Sequence, residues 1–230
     1  MSAPSPRPSK GLGQLLALAG PFAVLLYLIH VVWGGLAWAG YNPMIQTISE
    51  LTGSTSPHAA ALSVLTTAYG IGMVICSIGI IVALRDLAAP RLVRIGAILL
   101  LVMTTTSLIG YALFPLDLTG AVDNAQNLGH YVVTGAVVLC TLGSVWLIGI
   151  GMLRTPAHRR LGLLTLACAV IITVFGAITP AAIAQGWPIS GLTERINIFT
   201  LLGWVCVLAV YLYRRSRTAA LVSIQDQPAA

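Results

Sequence analysis

The sequence predicts an all-α protein: a six-helix transmembrane bundle with both termini on the same side, N-in and C-in, built at least in part from repeated two-span units. Three observations carry this. Of 230 residues 57% are apolar and only 8% charged, a balance that water-soluble domains do not show. Six stretches reach the roughly 20 apolar residues needed to cross about 30 Å of hydrocarbon as a helix. And basic residues fall in alternate connections.

The spans are expected at roughly 14–38, 60–84, 93–115, 130–152, 161–183 and 196–213. A polar cytoplasmic tail (1–13) precedes this membrane domain (14–213), and a basic, disordered tail (214–230) follows it. No room is left for a soluble catalytic or nucleic-acid-binding domain.

Span one ends in Ala37-Trp38-Ala39, which resembles a signal-peptidase site, but its apolar run is longer than a signal peptide's and carries His30, so it is read as retained. Arg7 and Lys10 precede it. Arg85, Arg91 and Arg94 separate spans two and three; Arg154, Arg159 and Arg160 separate four and five; Arg214, Arg215 and Arg217 follow span six. Eleven of the twelve basic residues therefore share one face, which the positive-inside rule makes cytoplasmic in a cell membrane. The net charge of +6 is then a topology signal with anionic-headgroup contact, not a nucleic-acid footprint. Cys76, Cys140, Cys168 and Cys206 lie inside spans without a CxxC pair and read as packing residues.

"LRDLAAPRLVRIGAILLLVMTTTSLIGYALFP" (84–115) and "LRTPAHRRLGLLTLACAVIITVFGAITP" (153–180) share a Leu-Arg start, an Arg-x-Gly and a terminal Pro at matched spacing. This echo suggests the two-span repeat, with spans one and two as a diverged third copy. Pro43, Pro115 and Pro180 are expected to mark where each unit reaches the outer face. The outer loops carry Glu50, Asp117, Asp123 and Glu194, against a single basic residue, Arg195.

The first outer loop, "YNPMIQTISELTGSTSPHA", reads as a short interfacial helix. Asn42 would be its N-cap, Pro43 its first residue, and Gly53 would follow its end. Met44, Ile45, Ile48 and Leu51 would share the apolar face, with Gln46 and Glu50 stacked at i, i+4 on the other.

These residues also resemble a known family. "YNPMIQTISEL", "FPLD" (Phe114 to Asp117), the His opening span four (His130) and "GLTERI" are similar, in that order, to the bacterial multi-pass membrane family catalogued as domain of unknown function 998. The resemblance covers about residues 14 to 213. It implies the membrane architecture and marks Ser49, Glu50, Asp117, His130, Glu194 and Arg195 as motif positions, but implies no activity.

A cation on the translocated side is best accommodated when paired, so Arg195 is expected to bridge toward Asp117 or Glu50, with His130 nearby. Two readings of that cluster stand side by side: an ion-pair latch fixing helix ends, or the lining of an outward-facing pocket whose carboxylates divide into acid and base, with His130 as shuttle. Thr193 would cap span six, placing Glu194 in its first turn, where it complements the helix dipole. Asn127, His130 and Thr134 fall one turn apart and form a polar, inward-facing stripe. His30 sits about 12 Å inside the outer end of span one, with the Thr104–Ser107 run as its plausible partner. His58 and His158 read as loop residues.

No metal or cofactor motif is present: HExxH, HxxxH, phosphate loops, nucleophile elbows and dinucleotide fingerprints are all missing. Three functions remain. The first is an outward-facing ionisable pocket that binds or transforms a lipid-like or isoprenoid-like molecule by acid-base chemistry, the second a small proton-coupled transporter running past His30, and the third a scaffold or accessory subunit without chemistry. Whether the chain is an enzyme is left open. Its expected partners are the bilayer and a hydrophobic small molecule. Oligomeric state is not readable, although Gly70, Gly72, Gly79, Gly143, Gly149 and Gly151 permit close helix contacts.

Overall fold

The computed structural model describes residues 11–119 and 124–225; Asp123, Arg7 and Lys10 lie outside it, as does the Arg217 side chain. Seven helices carry the described chain: α1 (Leu12–Ala17), α2 (Ala19–Ala37), α3 (Ala59–Asp86), α4 (Arg91–Leu113), α5 (Ala125–Leu153), α6 (Arg159–Gln185) and α7 (Ser190–Gln225). With α1 and α2 taken as one span, six segments are long and apolar enough to cross a membrane. The division at Leu18 has a local cause. Pro21 has no N–H to offer the Ala17 carbonyl and its ring crowds that oxygen, so the first span is built in two pieces.

Sequence neighbours pack as spatial neighbours, and α7 returns to touch α1, α2 and α3, which closes the bundle. Small residues permit the close approaches. A Cβ on Gly72 would meet Ala23, one on Gly70 would meet Leu108, and one on Gly149 would meet Leu166, while Gly79 lies directly on the α1 backbone. At least in these places the glycines serve contacts within the chain.

The larger buried core runs from mid-bundle toward the α3–α4 and α5–α6 turns. It contains Met73, Ile80, Leu84, Leu100, Ile148, Trp204 and Leu208. We call this the arginine end. Most of its few polar groups are paired: Ser77 with Thr104 at 3.3 Å, and Trp204 Nε1, which donates to Thr165 at 3.1 Å, while the buried Ser144 hydroxyl has no partner among the described residues. A smaller core of Val31, Ile48, Leu51 and Leu62 lies at the opposite, acidic end. Outward-facing Leu36, Val64, Leu128 and Leu139 are 60–82% exposed, which is the surface a bilayer would cover.

Several helix ends depart from expectation. Pro180 does not end α6; the helix continues to Gln185 and stops at Gly186, whose φ of 65° closes the turn as the Trp187 N–H reaches back to Ala182 O at 2.9 Å. Ser190 starts α7, six residues before the expected span, and the helix runs on through Gln225, so Glu194 and Arg195 are helical rather than in a loop. Asn124 caps α5 through a 2.7 Å bond from the Asn127 N–H, which starts that helix at Ala125. At the arginine end His158 is not a free loop residue, since its Nδ1 lies 2.5 Å from the Tyr211 hydroxyl, and Arg215 donates to Ala157 O at 2.8 Å.

The α3–α4 turn uses the same reversal as the end of α6, with the Ala89 N–H bonded to Leu84 O, but places Ala88 rather than glycine at φ 49°. A Cβ there costs about 1 kcal/mol. Ala88→Gly should therefore stabilise the protein by roughly 0.5–1 kcal/mol, seen as a raised thermal-unfolding midpoint in detergent. An unchanged or lowered midpoint would contradict the assigned strain.

Candidate functional site

The chain between Tyr41 and Thr52 lies as a strap across the first two turns of α7. It is not the interfacial helix expected from its sequence; only Ser49–Thr52 forms one 3₁₀ turn. Asn42 does cap a first turn, its Oδ1 accepting from the Met44 N–H at 3.0 Å and its carbonyl from the Gln46 N–H at 2.8 Å, but the next four carbonyls, which would have continued the helix, are taken by competitors. The Pro43 and Gln46 carbonyls accept from Arg195 Nη1 at 2.7 and 2.9 Å. Met44 O takes the Leu192 N–H, and Ile45 O takes the Gly191 N–H and, at 2.5 Å, the Ser190 hydroxyl. Four consecutive carbonyls thus satisfy the amides that α7 exposes at its start and the one guanidinium nearby. The strap's own N–H groups turn to carboxylates: Thr47 N–H to Glu50 at 2.8 Å and Ile48 N–H to Glu194. Gly191 is required here, because a Cβ would overlap the Gln46 and Pro43 oxygens.

Arg195 therefore does not bridge to Asp117 or Glu50. Among the described residues its bonds go to three carbonyls, the third being Gly191 O at 2.9 Å, and to the Tyr41 hydroxyl at 2.5 Å. Its carbon also stacks 5.5 Å from the Tyr41 ring centre. Burial pushes the Tyr41 phenol above its ordinary pKa, with the Arg195 contact opposing. The phenol stays protonated, accepts from Arg195 and donates to Thr47 O at 2.8 Å. Thr193 is not the cap of α7. It sits in the first turn and donates to Ser190 O at 3.0 Å, and Glu194, past the helix start, holds the strap through Ile48 and the Ser49 hydroxyl at 3.3 Å. Glu50 is engaged within its own loop by Thr47 and, as expected from the i, i+4 spacing, by Gln46 at 3.1 Å.

Asp117 belongs to a second cluster. Its Oδ1 accepts from the Ser54 hydroxyl at 2.9 Å and from the Thr119 N–H and hydroxyl at 2.9 and 2.7 Å, and its Oδ2 accepts from Asn124 at 2.7 Å. Asn127 clamps the same residue's backbone, accepting from its N–H and donating to its carbonyl. Ser49 touches Glu194 and Ser54 touches Asp117, so the strap joins the two clusters through five residues of chain. The donors from Thr119, Ser54 and Asn124 hold the Asp117 carboxyl down, from its ordinary value to about 2.

The stripe on α5 faces inward as expected: Asn127 and His130 are buried, and Thr134 is half-buried. His130 Nδ1 lies 2.9 Å from Phe114 O, which makes Nδ1 the protonated nitrogen. Tyr111 donates to Thr134 at 3.2 Å and its ring lies 5.0 Å from His130. Asp117 and His130 are not bonded to each other; His130 is held instead by the carbonyl of Phe114, three residues before Asp117.

His30 lies apart from both clusters. It is 2% exposed, and neither ring nitrogen has a hydrogen-bond partner. Thr104 is not that partner, being bonded to Ser77. Beside it is Tyr27, with ring centres 5.4 Å apart, and beyond that Tyr69, 4.6 Å from Tyr27. Sequence reasoning missed Tyr27, Tyr69 and Tyr111. The available signal was spacing, since Tyr27 and His30 are three residues apart and share one helix face.

Six apolar helices closed by a polar strap define an integral, multi-pass membrane protein. The profile of the family described as protein of unknown function (DUF998) matches residues 21–211, and the chain belongs to that family. No curated protein and no solved structure matches it.

Replacing Arg195 by Lys keeps a charge but not the fork that reaches several acceptors. Arg195→Lys should lower unfolding stability by about 2 kcal/mol, measured by chemical denaturation in micelles; a change within error would mean that the clamp does not hold the strap. The lowered Asp117 pKa gives a pH signature. Its contribution is complete above the ordinary carboxylate value and is lost as pH falls from there through about 2. Unfolding midpoints should drop across that window in the wild type, and Asp117→Asn should flatten that part of the profile.

Proposed function

We propose that the protein sits in the cell membrane with both termini in the cytoplasm, and that beneath the strap it binds a lipid-like or isoprenoid-like molecule with a hydrogen-bonding head. The arginines of the α3–α4 and α5–α6 turns and Arg214 and Arg215 share one end, which supports that orientation. Arg195, the exception, is consumed by backbone carbonyls.

His30 carries the binding reading. A buried imidazole with both nitrogens unpartnered is an exception that native structures rarely leave standing, and in a membrane span such a group is a candidate site. Tyr27, one turn deeper on α2, and Tyr69 on α3 continue a run of polar rings from it. Glu50, Glu194 and Asp117 all have their oxygens engaged in fixing loops. In this reading they and Arg195 shape the roof, Ser49, Asn127 and Thr134 hold it, and any proton transfer falls to His30. The apolar filling of the arginine-end half favours binding over passage.

The test is extraction of lipid from purified protein followed by mass spectrometry, for the wild type and for His30→Phe. One lipid should be enriched near one per chain in the wild type and strongly reduced in a folded His30→Phe variant. Wild-type protein carrying only the average lipids of its membrane would overturn the reading.

A further inference from the structure

At the arginine end, remote from the strap, a groove of about 230 Å³ opens between α3 and α4. Its rim is formed by Arg85, Arg91 and Arg94, and its wall includes Ile81, Ile95 and Ile98. The tight turn at Ala88 creates this juxtaposition by setting the last turn of α3 beside the first turn of α4. Arg91 and Arg94, three residues apart, then project on one face.

All three arginines are exposed, and none makes a hydrogen bond or ion pair with a described residue. No acid is among the lining residues, and Asp86, next in sequence to Arg85, is itself engaged. The first turn of α4 adds to the positive field, because no side chain caps its amides. Below the rim, Ile95 and Ile98 are 37% and 49% exposed. A cationic rim above an apolar wall matches an amphiphile: a phosphodiester for the guanidiniums and acyl chains for the isoleucines. A free phosphate would use only the rim. The chain's own N-terminal ten residues carry Arg7 and Lys10 and no acid, so charge disfavours them as occupant.

We propose that this groove is a binding site for an anionic glycerophospholipid, such as phosphatidylglycerol, drawn from the leaflet at the arginine end. The proposal does not rest on the binding proposed at His30.

The full chain, reconstituted in nanodiscs of mixed phosphatidylcholine and phosphatidylglycerol, is assayed for retained lipid by native mass spectrometry. Arg85→Gln, Arg91→Gln and Arg94→Gln should each lower phosphatidylglycerol retention about fivefold, and the triple variant should abolish the preference over phosphatidylcholine. Ile98→Trp, which keeps every arginine but fills the wall, should also lower it. Arg159→Gln with Arg160→Gln removes charge at the same end outside the groove and should leave retention unchanged. Full retention by the triple variant, or equal loss in the Arg159/Arg160 control, overturns the proposal. So does equal competition by soluble glycerophosphoglycerol, which would make the ligand a headgroup without a role for the apolar wall.

Discussion

The acidic end of this protein depends on one exchange of hydrogen bonds. Four consecutive carbonyls, Pro43 to Gln46, are given to Arg195 and to the first amides of α7, while the N–H groups of Thr47 and Ile48 are given to Glu50 and Glu194. A helix start in a membrane protein has amides that lipid cannot satisfy. Here a neighbouring loop satisfies them, and surrenders its own helix in doing so. The adjacent Glu194 and Arg195 divide the work, one meeting donors and the other acceptors of the same strand of backbone. A lone cation at this end is thus explained by carbonyl dipoles rather than by carboxylates.

That exchange also marks where sequence reasoning reached its limit. The six spans were legible because lipid imposes one requirement, a long apolar helix, and composition reports it directly. The ends were less so. Ser190 and Gly191 read as loop residues because nothing in their identity reveals that Ile45 O waits to receive them, and Pro180 reads as a terminator although α6 carries it internally. The strap's periodicity was genuine: Ile48 and Leu51 do turn inward and Gln46 does meet Glu50. Local pattern could not weigh those contacts against partners about 150 residues away. The candidate residues were well chosen as polar anchors, yet they assemble as two clusters and an isolated His30 rather than one site, since pairing between loops is set by packing and not by charge count.

The two ends handle polarity differently. At the acidic end nearly every charged oxygen and nitrogen is bonded, chiefly to backbone, so charge there supplies rigidity. At the arginine end the guanidiniums around the α3–α4 turn remain open to the surroundings. His30, buried between these regimes with neither kind of partner, is the ionisable group among the described residues that the fold itself does not account for.

The sequence distance spanned by the clamp has a temporal meaning. Arg195 bonds to Gln46 and Tyr41 across 149 and 154 residues, so during synthesis the strap emerges with the first hairpin and cannot make these bonds until the final span has been delivered. The Asp117 cluster needs nothing beyond Asn127, but closure of the strap waits for the final span, and a ribosome stalled before residue 190 leaves helices whose roof has nothing to close upon.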